Sequence, residues 1–148
     1  AVPFALFLLL LQDASMLVID LGANSLDLTH LASFGGIMEV VSAHRDTSVG
    51  VRKLDDVVAG HFAADFKRKT RMDLSENARA RTKLRHASET VKRALSSTPT
   101  AACTIESLHE GADLQSNLNR VMFETISCTY FALVERVCME CVCLYVYV

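Results

Sequence analysis

Two tight turns constrain this chain more than anything else in it. Gly22-Ala23-Asn24-Ser25 and Phe34-Gly35-Gly36 divide the residues from Met16 to Ala43 into three short runs. Met16 to Asp20 (MLVID) has the composition of a buried strand, and Leu26 to Leu31 (LDLTHL) alternates apolar and polar like a half-buried one. Ile37 to Ala43 (IMEVVSA) reads as a third strand. Three strands joined by tight, glycine-containing turns predict an antiparallel meander. Helical spacing follows. Leu54, Val57, Val58, His61, Phe62 and Phe66 share one helix face. A second helix is expected from about Glu76 to Leu95, with Ser75 as its N-cap and Pro99 as the stop beyond it. Ala101 to Ser107 and Ala112 to Leu118 read as short strands about a His109-Glu110-Gly111 turn, and Asn119 as the cap of a helix through Phe123.

The chain has 148 residues, enough for one domain or a piece of one. It is 51% hydrophobic and 22% charged, which excludes a wholly disordered chain. Its mean hydropathy of +0.26 is high, and the excess lies at the ends, Ala1 to Leu11 and Cys138 to Val148. Each is shorter than the roughly 20 apolar residues that span a bilayer, so no membrane contact is expected. Ala1 opens without the positive charge of a signal peptide. The first run, from Phe4 to Leu11, has the length of a short buried helix, and the last reads as a buried strand or an aggregation-prone edge. The five cysteines, Cys103, Cys128, Cys138, Cys141 and Cys143, show no disulfide framework. A reducing compartment, the cytoplasm, is therefore expected. Cys138-x-x-Cys141 has metal-ligand spacing but lacks a second ligand pair close by.

The formal net charge of -2 excludes nucleic-acid binding by bulk charge, although Lys67 to Arg93 is locally basic. Only Phe66 lies close to those charges, so aromatic stacking on bases is missing and no nucleic-acid partner is expected. Two other patterns suit a nucleotide. In Ile19-Asp20-Leu21-Gly22-Ala23-Asn24-Ser25, a strand ends in a carboxylate and enters a turn of small residues. Backbone N–H groups of such a turn can face phosphate, and the carboxylate can hold hydrated magnesium. Glu89, Lys92, Arg93 and Ser96 fall at i, i+3, i+4 and i+7, on one helix face. A guanidinium there can stack on a base, and Glu and Lys can bond ribose hydroxyls. On the residues alone, the first pattern is also ordinary turn chemistry and the second ordinary surface ion pairing.

VIDLGANSLDLTHL resembles the phosphate-binding hairpin of the 70-kilodalton heat-shock chaperones, and DTSVG at Asp46 to Gly50 the segment after it. His61 to Ser97 is similar to their adenosine-side helices, and Thr104 to Glu124 to the antiparallel strands beyond. The resemblance covers about Pro3 to Glu124 in one order. It implies an α/β fold, a fragment of an actin-like (ribonuclease H-like) ATPase domain with an antiparallel strand meander plus a helical outer subdomain. Residues 1–49 would be part of the core subdomain of lobe II, 50–124 the outer subdomain, and 125–148 a divergent Cys/Val/Tyr-rich tail. The implied cofactors are ATP or ADP with Mg2+. Asp20 would be the acid near the metal. Gly22 and Ala23 would border the phosphates, with Ser25 where the family has Thr, and Glu89, Lys92, Arg93 and Ser96 would form the adenosine wall.

The departures concern hydrolysis. Asn24 replaces a glycine of the phosphate turn, and Val2 precedes Pro3 where the family has a catalytic Glu. Val51, Arg52 and Lys53 stand where it has a glycine and acids. Lobe I, with its phosphate loop and lysine, is not part of the sequence. The resemblance thus implies a stress-response chaperone fragment with its nucleotide face partly retained and hydrolysis lost. The alternative is a non-catalytic interaction module contacting exchange factors or co-chaperones through residues 54–95.

Overall fold

The computed structural model describes residues 5–10 and 15–146, and side chains from Ser15 to Cys141. The chain forms two units, residues 1–53 with 130–148, and residues 54–129. The architecture is mixed α/β, as expected.

The first unit holds a four-stranded antiparallel sheet, β1 (Ala5–Leu10), β2 (Ser15–Leu21), β3 (Leu26–Phe34) and β4 (Ile37–Asp46), in sequence order. The helix expected over Phe4 to Leu11 is corrected. Ala5–Leu10 is a strand, paired from Ala5↔Asp20 to Leu10↔Ser15, while Phe4 and Leu11 lie outside the described residues. A short unbroken apolar run carries no period to separate helix from strand. It is also too short to close many intrahelical bonds, whereas β2 offers it a complete ladder. The meander accordingly has four strands rather than three. Between β3 and β4, Gly35 and Gly36 take φ of 57° and 84°, the paired left-handed conformation of a two-residue hairpin turn. A bulge at His30/Leu31 leaves Val41 of β4 as the extra residue between Val40 and Ser42.

The second unit is built on α1 (Val51–Thr70), α2 (Ala78–Ala94) and the hairpin of β5 (Thr100–His109) with β6 (Ala112–Asn119). Its core is one cluster. Val58, Phe62 and Phe66, at successive turns of α1, pack with Leu84 and Val91 of α2 and with Cys103, Leu114 and Leu118 of the hairpin. Burial pushes the Cys103 thiol up to about 11, so it acts as a small apolar side chain. The N-cap of α2 is Asn77 rather than Ser75. Asn77 Oδ1 accepts from the Ala80 N–H at 3.0 Å, while the Ser75 N–H is already donated to Asp73 Oδ1 at 2.8 Å. The same Asn77 amide lies 2.8 Å from His109 Nδ1, tying the start of α2 to the hairpin.

α3 (Arg120–Val146) starts in this unit and is far longer than the helix expected through Phe123. Asn119 does cap it, Oδ1 accepting from the Met122 N–H at 2.7 Å. The terminal run is therefore helix as far as Val146, and the expected strand is corrected. No Gly or Pro lies between Arg120 and Val146 to stop the helix. Its less exposed positions, among them Phe123, Ile126, Ser127, Tyr130, Val134 and Val137, recur every three or four residues. No helix among the described residues is long and apolar enough to cross a membrane.

Asp65 of α1 is buried and held by Arg68 at 2.5 Å and Lys69 at 2.8 Å. Burial alone would raise its carboxyl, but hydrogen bonds from Lys69, Ser116 and Arg68 outweigh this and hold it below the usual 3.8. A folded value below the unfolded one means stability present above the ordinary carboxylate range and lost as pH falls through the folded value. Asp65→Asn should therefore lower stability near neutral pH by about 1–3 kcal/mol. The difference from wild type should shrink in acid. Urea melts across pH check this, and a penalty that does not vary with pH would refute it.

Candidate functional site

The 22–25 turn and the start of α1 are built on each other. The first N–H groups of a helix have no intrahelical acceptor. Here Val51 N–H donates to Gly22 O and Arg52 N–H to Ala23 O, each at 3.0 Å. The contact is close enough to dictate Gly50, because a Cβ there would lie 2.7 Å from Ala23 O and from the Asn24 carbonyl carbon. Gly22 N–H closes the turn onto Ser25 O at 2.8 Å. The Ala23 and Asn24 N–H groups make no hydrogen bond among the described residues. Two of the turn's carbonyls are thus committed to α1, and two of its amides are left without an acceptor among the described residues. Arg52 brings a guanidinium to the same place, its Nη1 donating to Asn24 Oδ1 at 3.1 Å. These are two of the residues that set the turn apart from the resemblance.

Asp20, next to last in β2, lies directly opposite Asp27 of β3, which is in turn opposite Arg45 of β4. Arg45 binds Asp27 with two bonds, Nε to Oδ1 at 2.5 Å and Nη2 to Oδ2 at 3.1 Å, and Ser25 Oγ adds a third at 3.2 Å. Arg45 is the main reason that the Asp27 carboxyl lies below the usual range. The Asp20 carboxylate is exposed and accepts no hydrogen bond among the described residues. One exposed carboxylate without a hydrogen bond fits magnesium, which keeps most of its own water and takes one or two protein carboxylates. Among the described residues no three His, Cys, Asp or Glu side chains gather into a ligand cluster.

The other four candidate residues belong to the second unit. Glu89 and Arg93 form an i,i+4 ion pair at 2.6 Å, and Arg93 and Ser96 are exposed. Lys92 differs from them. Its ammonium lies 2.5 Å from Asp55 of α1, with the two side chains 18% and 8% exposed. It is held between helices rather than presented beside Glu89. Ser96 is fixed through its backbone, its carbonyl accepting from Arg120 Nη2 at 3.1 Å. The basic stretch is largely committed too. Lys67 pairs with Asp73, Arg85 with Asp56, and Lys83 bonds the Ser107 carbonyl.

Sequence reading missed Gly50, Asp55 and Arg120. Only Gly50 carried a signal, a glycine immediately before a helix. Asp55 and Arg120 act on residues more than twenty positions away, and no local pattern connects them.

A family model described as Hsp70 protein matches residues 8–143. The chain belongs to the Hsp70 family. The match passes Glu124, where the resemblance was expected to fade, and takes in most of α3. Among curated Hsp70 relatives, a ribosome-associated molecular chaperone of Saccharomyces cerevisiae is 37% identical over 120 residues, covering 81% of this chain and 20% of its own length. A heat shock 70 kDa protein of Trichophyton rubrum is 40% identical over 114 residues, 77% of this chain and 17% of its own. The chain thus spans about a fifth of the length of the Hsp70 proteins it matches.

Gly50→Ala should displace the turn and cost about 1–3 kcal/mol by overpacking. Chemical denaturation and amide shifts at Gly22 to Ser25 would register it, and unchanged shifts would show that the contact is slack. Lys92→Met should leave the Asp55 carboxylate buried without its partner, a loss of about 3–5 kcal/mol. Asp55→Asn in the same chain should recover part of that, as a thermal melt would show.

Proposed function

We propose that this chain is a nucleotide-facing piece of an Hsp70 ATPase domain, with part of its ATP- or ADP-binding face retained and no hydrolysis of its own. Hsp70 proteins bind these nucleotides with Mg2+. The observation that carries the reading is the turn. Its Gly22 and Ala23 carbonyls cap α1, and this leaves the Ala23 and Asn24 N–H groups free for phosphate. In this reading Asp20 holds hydrated magnesium, which offsets the phosphate charge, and Ser25 braces the turn through Asp27. Glu89, Arg93 and Ser96 supply the adenosine wall, and Lys92 steadies α2 by its bond to Asp55. Residues 1–49, 50–124 and 125–148 then correspond to partial core subdomain, outer subdomain and tail, in a cytoplasmic, stress-responsive setting.

Hydrolysis falls outside the reading because it needs a positioned water, a metal and a second phosphate clamp together. The chain carries Val2 where the resemblance calls for a catalytic Glu. Calorimetry should give weak binding of Mg-ADP that is lost in Arg93→Ala, with no ATP turnover. Heat unchanged by Arg93→Ala, or steady turnover, would overturn the reading.

A cleft of about 430 Å3 between α1 and α2 favours a second reading. Ala59, Gly60, Ala63 and Leu84 line its floor, and Asp56 and Arg85 stand at its side. Such a surface suits a partner that grips the helical unit, an exchange factor or co-chaperone. Copurification with an exchange factor, independent of ATP and lost on Gly60→Leu, would favour this reading.

A further inference from the structure

The thiols of Cys138 and Cys141 take no part in nucleotide binding as proposed above. They stand at i and i+3 of α3, one turn apart on the same face. That face is the covered one. It also carries Val134 and Val137, with Cys138 half-buried and Cys141 buried. Both cysteines are free. Burial, and then the neighbouring charge of Cys141, pushes the Cys138 thiol up, and burial does the same to Cys141. The two thiols therefore lie within electrostatic reach of each other, and neither is a ready nucleophile.

The geometry discriminates among the uses of such a pair. A disulfide needs Cβ atoms about 3.5–4.5 Å apart, whereas residues one helical turn apart hold them at about 5–6 Å. Zinc takes four ligands in a tetrahedron. Among the described residues no third His, Cys, Asp or Glu gathers with the pair. Glu140, between the two cysteines in sequence, pairs instead with Arg136 at 3.7 Å on the exposed side of the helix. A cuprous ion is satisfied by two thiolates in line, and it favours soft sulfur ligands. Two thiols on one face, too far apart to bond each other, leave room for one ion between their sulfurs.

We propose that Cys138 and Cys141 form a two-thiolate site for a single cuprous ion. The ion displaces one proton from each thiol, and both protons pass to solvent. Cu+ and two thiols thus become a copper dithiolate of one negative charge, with no electron transferred and no oxidant required. The charge of the ion is what deprotonates thiols that burial otherwise keeps protonated. Of the other described cysteines, Cys103 lies in the second unit's core and Cys128 is exposed on an earlier turn of α3. The site is independent of the nucleotide face, so each can fail without the other.

The reduced full chain, titrated without oxygen with Cu+ held by a chromophoric cuprous chelator, should withdraw one equivalent of copper. X-ray absorption should show two sulfur neighbours. Cys138→Ser, at a half-buried position, should weaken binding about a hundredfold or more with unchanged circular dichroism. Cys141→Ser should do the same, while Cys128→Ser should leave the affinity as it is. Affinity should rise with pH, because binding releases protons. A wild-type chain that takes no copper from the chelator would overturn the proposal. So would copper retained by Cys138→Ser, a third sulfur neighbour, or a Cys138–Cys141 disulfide that forms readily with oxidised glutathione.

Discussion

The two hydrogen bonds from the start of α1 to the Gly22 and Ala23 carbonyls organise the first unit's candidate site. A helix start needs acceptors, and a phosphate-binding turn needs its donors left over. Here the Gly22 and Ala23 carbonyls bond the start of α1, and the Ala23 and Asn24 amides bond nothing among the described residues. Gly50 is the residue that allows it, since any side chain there would meet the turn's backbone. Asp20 and Asp27 then follow from strand register. Arg45 bonds the Asp27 carboxylate, while Asp20 feels the guanidinium charge without a hydrogen bond to it.

Two of the expected departures from the resemblance, Asn24 and Arg52, are linked. Asn24 and Arg52 each look like damage to a phosphate turn, and in the structure they bond each other. Arg52 adds positive charge beside the free amides, while the Asn24 side chain occupies space that a glycine would leave open. Lys92 has the spacing expected of the adenosine wall, yet its ammonium is committed to Asp55. Spacing on a face and commitment of the side chain are separate properties: Lys92 is held by Asp55 between helices, while its neighbour Arg93 pairs with Glu89 on the exposed face.

What was legible in the sequence follows from how local each signal is. Gly22, Gly35 and Gly36 placed the turns and therefore the strands between them. The three-four spacing of Val58, Phe62 and Phe66 placed α1 and its buried face. Ala5–Leu10 was misread because a uniform apolar run has no period, and only its pairing with β2 decides its conformation. The terminal run was misread because Val, Cys and Tyr alternate over a short window, whereas the stripe that makes it helical begins far upstream at Phe123. Ser75 and Asn77 are both good caps by residue type, but α2 begins at Ala78, so Asn77 is the residue whose side-chain oxygen meets a first-turn N–H, that of Ala80. At the candidate site, spacing put Glu89 and Arg93 on one face, but the Asp55 partner that turns Lys92 away lies on another helix.

The order of the units along the chain bears on how the molecule assembles. The second unit is continuous, residues 54–129, while the first is drawn from both sides of it. Contacts within the second unit join residues that are moderately close in sequence, so their closure entropy is small. Joining residues 130–148 to residues 1–53 in one unit closes a loop over everything between. That cost falls once the intervening segment has folded and its ends no longer roam. Folding of the inserted unit would then come first and act as a kinetic template, with completion of the split unit the later step.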